Sequence, residues 1–246
     1  MIKKGSDNYI PKGISKVFQG SNLVYEAGNF APASTLQLYH FNNSLLEEVS
    51  NTSGTGTTSY VNGKFGQATA GQNGTSFLLP PVELTANDFQ SGSYTFEGWV
   101  KVNANTQFYF SRFRDSNNTS GDLFKSENIT QYGLRLSTTT GAGMNPFAST
   151  SVTDYVPSSV DLNEFHHIAL VTTQGTYKVF FDGKLTSHGD LKTYTGTSTG
   201  GNFYRLRIAE TNRYYDEFLI CASAKYDSDF TPPTKPYTLR TWFINL

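Results

Sequence analysis

The sequence predicts an all-β protein built as a sandwich or jelly roll, and three observations predict it. Aromatic residues make up 15% of the 246-residue chain and charged residues only 16%, while Thr, Ser, Gly and Asn are abundant. Aromatic and β-branched side chains suit a pleated, half-buried surface, and Gly and Asn supply the turns between strands. Short strand-like runs then recur between turn signals from residue 35 onward, with no helical period competing. Finally, the clearest run alternates: Tyr94, Phe96, Gly98 and Val100 share one face, and Glu97, Trp99 and Lys101 share the other. A chain of this length fits one large sandwich and buries a core without disulfides or metals.

The runs that read as strands cover 36–41, 77–79, 94–102, 108–113, 132–137, 166–172, 177–181, 203–208 and 217–221. Asp182-Gly183 after 177–181 is a tight hairpin dipeptide, with Lys184-Leu185 opening the return strand. Long polar stretches at 50–64, 114–131, 138–160 and 186–202 are expected to be rim loops. No tandem repeat is evident. Residues 1–31 differ from the rest. Two short runs, 14–18 and 23–26, flank a Gly-Ser-Asn turn and read as a hairpin, which is marginal in water without a partner surface. Ala31-Pro32-Ala33-Ser34 marks a boundary, giving an N-terminal attachment arm over 1–31 and the sandwich over 32–246.

Charge and composition exclude several roles. Nineteen basic and 20 acidic residues give a net charge of −1 with no basic stripe, so the electrostatic footprint of a nucleic-acid binder is missing. Met1-Ile2-Lys3-Lys4 has no apolar run after it and is not a signal peptide, and no segment approaches the length needed to span a bilayer. The protein is expected to be soluble and made without a cleavable signal. Cys221 is the sole cysteine, inside the apolar run 218–221, and reads as a small buried side chain rather than a nucleophile.

In this order, the stretches 36–41, 64–68, 94–101, 165–169, 177–183 and 215–220 resemble the motifs of the laminin-G-like branch of the concanavalin A-like lectin and glucanase domains. Leu36-Gln37-Leu38-Tyr39-His40-Phe41 is similar to that family's first strand, and Lys64-Phe65-Gly66-Gln67-Ala68 to its Lys-Phe-Gly-x-Ala step. Tyr94-Thr95-Phe96-Glu97-Gly98-Trp99-Val100-Lys101 is similar to its Phe-Thr-x-Glu-x-Trp-Val-Lys strand, and Phe165-His166-His167-Ile168-Ala169 to its Trp-His-His-Val-Ala strand. Tyr177 to Gly183 and Tyr215-Asp216-Glu217-Phe218-Leu219-Ile220 complete the series. The resemblance implies a concanavalin A-like jelly-roll β-sandwich with an N-terminal hairpin arm.

The ending Ala224-Lys225-Tyr226, then Phe230-Thr231-Pro232-Pro233, then Pro236-Tyr237 resembles that of laminin-G-like domains in tailed bacteriophages. The 16–25 hairpin is similar to a short element of phage structural proteins. These likenesses imply a virion structural protein on a capsid or tail surface. They also imply an exposed, non-catalytic carbohydrate-binding or adhesion domain, a host-surface glycan as partner, and other virion proteins contacted through the arm. Purely structural decoration without glycan binding is the alternative, and a glycoside hydrolase a remote third. A homo-oligomer is common among exposed phage appendages, but no heptad here supports one.

Glucanases on this fold need two carboxylates on one strand face, as nucleophile and acid, which requires alternate spacing. Glu47-Glu48 and Asp216-Glu217 are adjacent pairs and are expected to point to opposite faces, while Asp227 and Asp229 share parity in a Pro-flanked tail. No catalytic residue is assigned. His166-His167, adjacent on a strand, cannot chelate one metal together, and the resemblance implies that one ring braces a neighbouring loop. His40 and His188 lack zinc spacing, and no Gly-x-Ser-x-Gly elbow is present.

The family often holds one Ca²⁺ at a rim. The resemblance points to Asp216 and Asn42 as its ligands, against a role for Asp216 in bonding backbone amides near Asn42. For a glycan, Asn212, Arg213 and Tyr214 form a polar-aromatic cluster, with Tyr215 beside them and Trp99 as a further platform; Tyr109, Tyr194 and Tyr204 are additional aromatics.

Overall fold

The structure, a computed structural model, describes residues 31–56, 58–70, 76–82, 88, 91–102, 161, 163–190, 204–209 and 213–239, together with strand segments 16–19, 22–26, 108–109, 113–114, 132–136 and 143–146. For those short segments, and for 76–78, 81, 102, 204–209 and 213, it describes the backbone alone.

The first strands are β1 (Lys16–Gln19), β2 (Asn22–Glu26), β3 (Thr35–Tyr39), β4 (Leu46–Glu47), β5 (Thr52–Ser53), β6 (Thr55–Gly56), β7 (Ser59–Asn62), β8 (Gln67–Ala70) and β9 (Ser76–Val82). Next come β10 (Ser93–Val102), β11 (Phe108–Tyr109), β12 (Phe113–Arg114), β13 (Tyr132–Leu136) and β14 (Gly143–Pro146). The last are β15 (His166–Thr173), β16 (Thr176–Phe181), β17 (Lys184–Asp190), β18 (Tyr204–Ala209) and β19 (Arg213–Cys221).

An eight-stranded antiparallel sheet runs β17-β16-β15-β10-β19-β8-β7, with β3 also paired to β19. β10 fills one edge of β19, while β8 pairs Tyr214 and Tyr215 and β3 pairs the stretch from Phe218 to Cys221 on the other. A four-stranded sheet, β12-β18-β9-β6, and a three-stranded one, β11-β13-β14, accompany it. β1 and β2 pair as the expected hairpin. No helix among the described residues is long and apolar enough to cross a membrane.

Two expectations change. The polar stretch 50–64 carries β5, β6 and β7, 138–160 carries β14, and β17 runs on into 186–202 as far as Asp190. Backbone pairing with β4, β9, β8, β13 and β16 makes strands there without the apolar alternation a sequence shows. The single run over 108–113 divides into β11 and β12, which join different sheets.

Both faces of the large sheet are covered. Phe96 and Val100, Ile168 and Leu170, Phe218 and Ile220 are buried on the inner face. There Tyr39 stacks on Phe41 at 5.6 Å, and Gln37 donates to the Pro80 carbonyl of β9 at 3.0 Å, tying this sheet to the four-stranded one. The outer face is closed by residues 222–239, which follow β19 and fold back over it. Ala169, Val171 and Phe180 pack under Tyr226 and Phe230, and Leu38 and Leu219 pack with Ala31 and Tyr237. At roughly 1.5–3 kcal/mol per fully buried large apolar side chain, this cover is a main source of stability. Cys221 is buried, and its thiol is pushed up by that burial.

The covering segment is also fastened by polar groups. Thr95 Oγ1 donates to the Ser223 carbonyl and accepts from the Lys225 amide. Glu97, fully buried, accepts from the Lys225 ammonium and, at 2.6 Å, from the Tyr237 hydroxyl. Burial alone would raise the Glu97 carboxyl, but Lys225, His167 and these hydrogen bonds outweigh it and hold it low. At the hairpin tip Asp182 and Gly183 take φ of 47° and 75°, the backbone that Asp-Gly favours. A Cβ on Gly183 would lie 2.0 Å from the Phe230 carbonyl oxygen, so the tip admits the covering segment only as glycine.

Candidate functional site

Along one face of β10 the cover thins in steps. Thr95 and Glu97 lie sealed under the C-terminal segment, Trp99 is 6% exposed, and Lys101 is half-buried. What covers Trp99 is the turn between β7 and β8. The Gly63 amide donates to the Gly66 carbonyl, closing a tight turn in which Gly66 takes φ of +88°. Two side chains grip that turn. Asp216 Oδ2 accepts from the Phe65 amide at 2.8 Å, and Asn42 Oδ1 accepts from the Gln67 amide at 2.8 Å. A Cβ on Gly63 would fall 2.6 Å from Asp216 Oδ2, and one on Gly66 2.5 Å from Asn42 Oδ1.

The turn delivers Lys64 and Phe65. Phe65 meets Trp99 edge-on at 5.9 Å, His167 does so from the other side at 5.3 Å, and the Lys64 ammonium lies 4.2 Å over the indole. Beyond Trp99 the face opens. Lys101 is in register with Tyr214 of β19, and its ammonium stands 6.0 Å from both the Tyr214 and Phe165 rings. Lys101, Phe165 and Tyr214 are half-buried and Lys64 is exposed. The arrangement is a short aromatic ledge edged by two ammonium groups. An apolar ring face can stack on the C–H face of a sugar, and an ammonium can donate to its oxygens.

The carboxylates nearby behave differently. Burial pushes Asp216 up to about 7, against the pull of the Phe65 and Lys64 amides. Asp216 and Glu217 were expected on opposite faces. Instead β19 bulges there: Glu97 pairs with Leu219 but Trp99 with Asp216, and Glu217 takes φ of +51°. Both acids therefore lie on the outer face. Glu217 accepts from the Tyr237 amide at 2.9 Å and pairs with His40 Nδ1 at 2.6 Å. Gly98 sits opposite the bulge, where a Cβ would come within 3.3 Å of the Phe218 Cα. Glu47 is buried and caps the amides of Leu38, Val49 and Ser50, while Glu48 is exposed.

The histidine doublet divides. His166 bridges Asp182 Oδ2 at 2.7 Å and the Asp161 carbonyl at 2.9 Å, bracing the loop ahead of β15. His167 lies on the outer face, buried between Trp99 and Phe230 and 3.5 Å from Glu97, and burial lowers it to about 4.

Of the residues expected at a ligand, Tyr214 is on the ledge and Trp99 is its floor rather than an exposed platform. Arg213 opens β19 opposite Val102, described as backbone alone, and Asn212 and Tyr194 lie outside the described residues. Tyr215 is buried, and Tyr109 and Tyr204 are placed as backbone in β11 and β18. Lys64, Lys101 and Phe165 were not anticipated. Alternation with Trp99 pointed to Lys101, whereas Phe165 reaches the ledge only through the pairing of Val100 with His166.

The two expected calcium ligands fit that ion poorly. Asn42 Oδ1 and Asp216 Oδ2 already accept backbone amides, leaving buried Asp216 Oδ1 without a hydrogen-bond partner among the described residues. Calcium takes 6–8 oxygens. No group of three His, Cys, Asp or Glu able to hold a metal occurs among the described residues.

Residues 72–234 match the family model of the concanavalin A-like lectin/glucanases superfamily. The chain belongs to that superfamily. No curated protein matches it. Among solved structures sharing this superfamily fold, a Trypanosoma rangeli sialidase in complex with 2,3-difluorosialic acid aligns with a TM-score of 0.55 at 12% identity, over 87% of this chain and 34% of the sialidase. The binding domain of botulinum neurotoxin DC in complex with SialylT aligns at 0.51 and 12%, over 79% of this chain and 49% of that one. A botulinum neurotoxin type C structure aligns at 0.50 and 15%, over 78% and 49%. The chain thus spans about half the length of the toxin chains and a third of the sialidase. A superfamily fold shared by an enzyme and a toxin binding domain does not decide catalysis.

Proposed function

We propose that the protein is a bacteriophage virion component, on a capsid or tail surface, whose sandwich binds carbohydrate without catalysis. The observation that carries the binding is the open end of the outer face, where Phe165 and Tyr214 flank Lys101 beside the Lys64–Trp99 pair. A toxin relative is described as depending on two ganglioside molecules for cell entry, which supports a saccharide as the ligand to try first. Non-catalysis is supported by the fate of the outer-face acids. Glu97, Asp216 and Glu217 are at most 1% exposed, and each is engaged by backbone amides, Lys225, Tyr237 or His40. A hydrolase would need two carboxylates flanking a reachable bond. The virion context is supported by the phage-like ending and arm in the sequence.

The test is a glycan array probed with the folded full chain and with Phe165→Ala. Retained glycans that the variant releases support the reading; a folded chain that retains none defeats it. The hairpin β1–β2 favours a second reading, decoration of a particle without glycan binding, because two strands alone are marginal. That reading predicts a stability that rises on assembly.

A further inference from the structure

We infer that the ledge selects carboxylate-bearing saccharides over neutral ones, an inference that rests on the saccharide-binding reading above. Two ammonium groups carry it. Lys64 lies over Trp99, and Lys101 follows Trp99 by two residues on the same strand face, a step of roughly 7 Å along the strand. Neither ammonium forms an ion pair with any described residue. Charges that no described carboxylate pairs, set beside aromatic surface, are placed to receive an anion without first giving up a bridge to those residues. Their placement over rings also limits the freedom that binding would otherwise remove, and the cation–π contacts fix where the charge stands.

The surrounding acids leave this field in place. Asp216, beneath the turn, is turned toward the Phe65 amide and is held largely protonated below neutrality by burial. Glu97 and Glu217 are committed to the C-terminal segment and to His40. Asp161 is the exception: exposed, bonded to the Asn163 amide, and close enough to Lys101 for the two charges to interact. It would oppose an incoming carboxylate, which makes it a sensitive probe.

The experiment titrates the full chain with oligogalacturonate and with its methyl ester, which removes only the charge, and in parallel with sialyllactose and lactose. The acidic member of each pair should bind about ten-fold tighter in 20 mM salt, with the ratio shrinking as salt rises. Lys101→Met and Lys64→Met should each cut the acid-over-neutral ratio about five-fold, the scale of one exposed charge pair. Asp161→Asn should raise it about two-fold. Equal affinity for acidic and neutral members overturns the selectivity while the saccharide reading stands. A ratio unmoved by both lysine variants overturns the assignment to this ledge. Loss of all binding across both pairs, with no glycan retained on an array, overturns the saccharide reading and this inference together.

Discussion

Thr95 and Lys101 point the same way from one strand, yet one is sealed and the other half open. The strand does not make that difference. At the sealed end residues 222–239 fold back and supply Tyr226, Phe230 and Tyr237 as a roof, with Lys225 and Tyr237 on Glu97. At the open end nothing described lies beyond the Gly63–Gly66 turn. The comparison teaches that a strand's outer face becomes core or open surface according to which other segments of the chain lie over it.

The sharpest way to break the sealed end is to leave Glu97 buried without its cation. Lys225→Met removes its cation from a fully buried site, and a buried charge stripped of its partner costs about 3–5 kcal/mol. Urea denaturation should show that loss, and a midpoint within 0.5 M of the parent would refute it. Tyr237→Phe, which leaves Lys225 in place, should cost about 1–2 kcal/mol.

A second comparison sets Asp216 against His167 through pH. Asp216 has its folded value raised from 3.8 to about 7, so its contribution is whole below 3.8 and fades as pH rises through 7. His167 is lowered from 6.5 to about 4, so its contribution is whole above 6.5 and fades as pH falls through 4. The two oppose each other across pH 4–7, with spans of at most about 4 and 3 kcal/mol. Asp216→Asn keeps an acceptor for the Phe65 amide, and its stability should climb with pH relative to the parent. His167→Phe should show the reverse trend. Thermal melts every half pH unit would decide it, and parallel profiles for parent and variants would sink both assignments.

Gly183→Ala is expected to cost about 1–3 kcal/mol, because it strains a positive φ and meets the Phe230 carbonyl. The same melts would report it, and a neutral result would show that the roof shifts freely at that hairpin. Smallest of all, Lys101→Met should change stability by less than about 0.5 kcal/mol, since its ammonium forms no ion pair with a described residue and stands 6.0 Å from the Phe165 and Tyr214 rings. A larger loss in calorimetry would mean that the open end is structural after all.

Much of this fold was legible because its signals are local. The alternation in 94–102, the apolar run after His166, and Asp182-Gly183 each act over a few residues, and β10, β15 and the β16–β17 hairpin appear as expected. Thr52, Thr55 and Ser59 carried no such signal, because their strands are made by backbone pairing with β4, β9 and β8 and not by any apolar alternation of their own. The site was half legible. Tyr214 and Trp99 stood out as aromatics, but Trp99 became a floor once Phe65 and Lys64 were laid over it, which only the turn gripped by Asp216 explains. The face of Glu217 was misread because period-2 counting assumes an unbroken ladder, and a bulge suspends that count.

That bulge makes β19 two half-strands on one backbone. Residues before Glu217 keep step with the turn and the ledge, and residues after it keep step with β3 and the roof. The irregularity works as a joint: it lets one strand serve two neighbourhoods whose side-chain registers are out of step with each other.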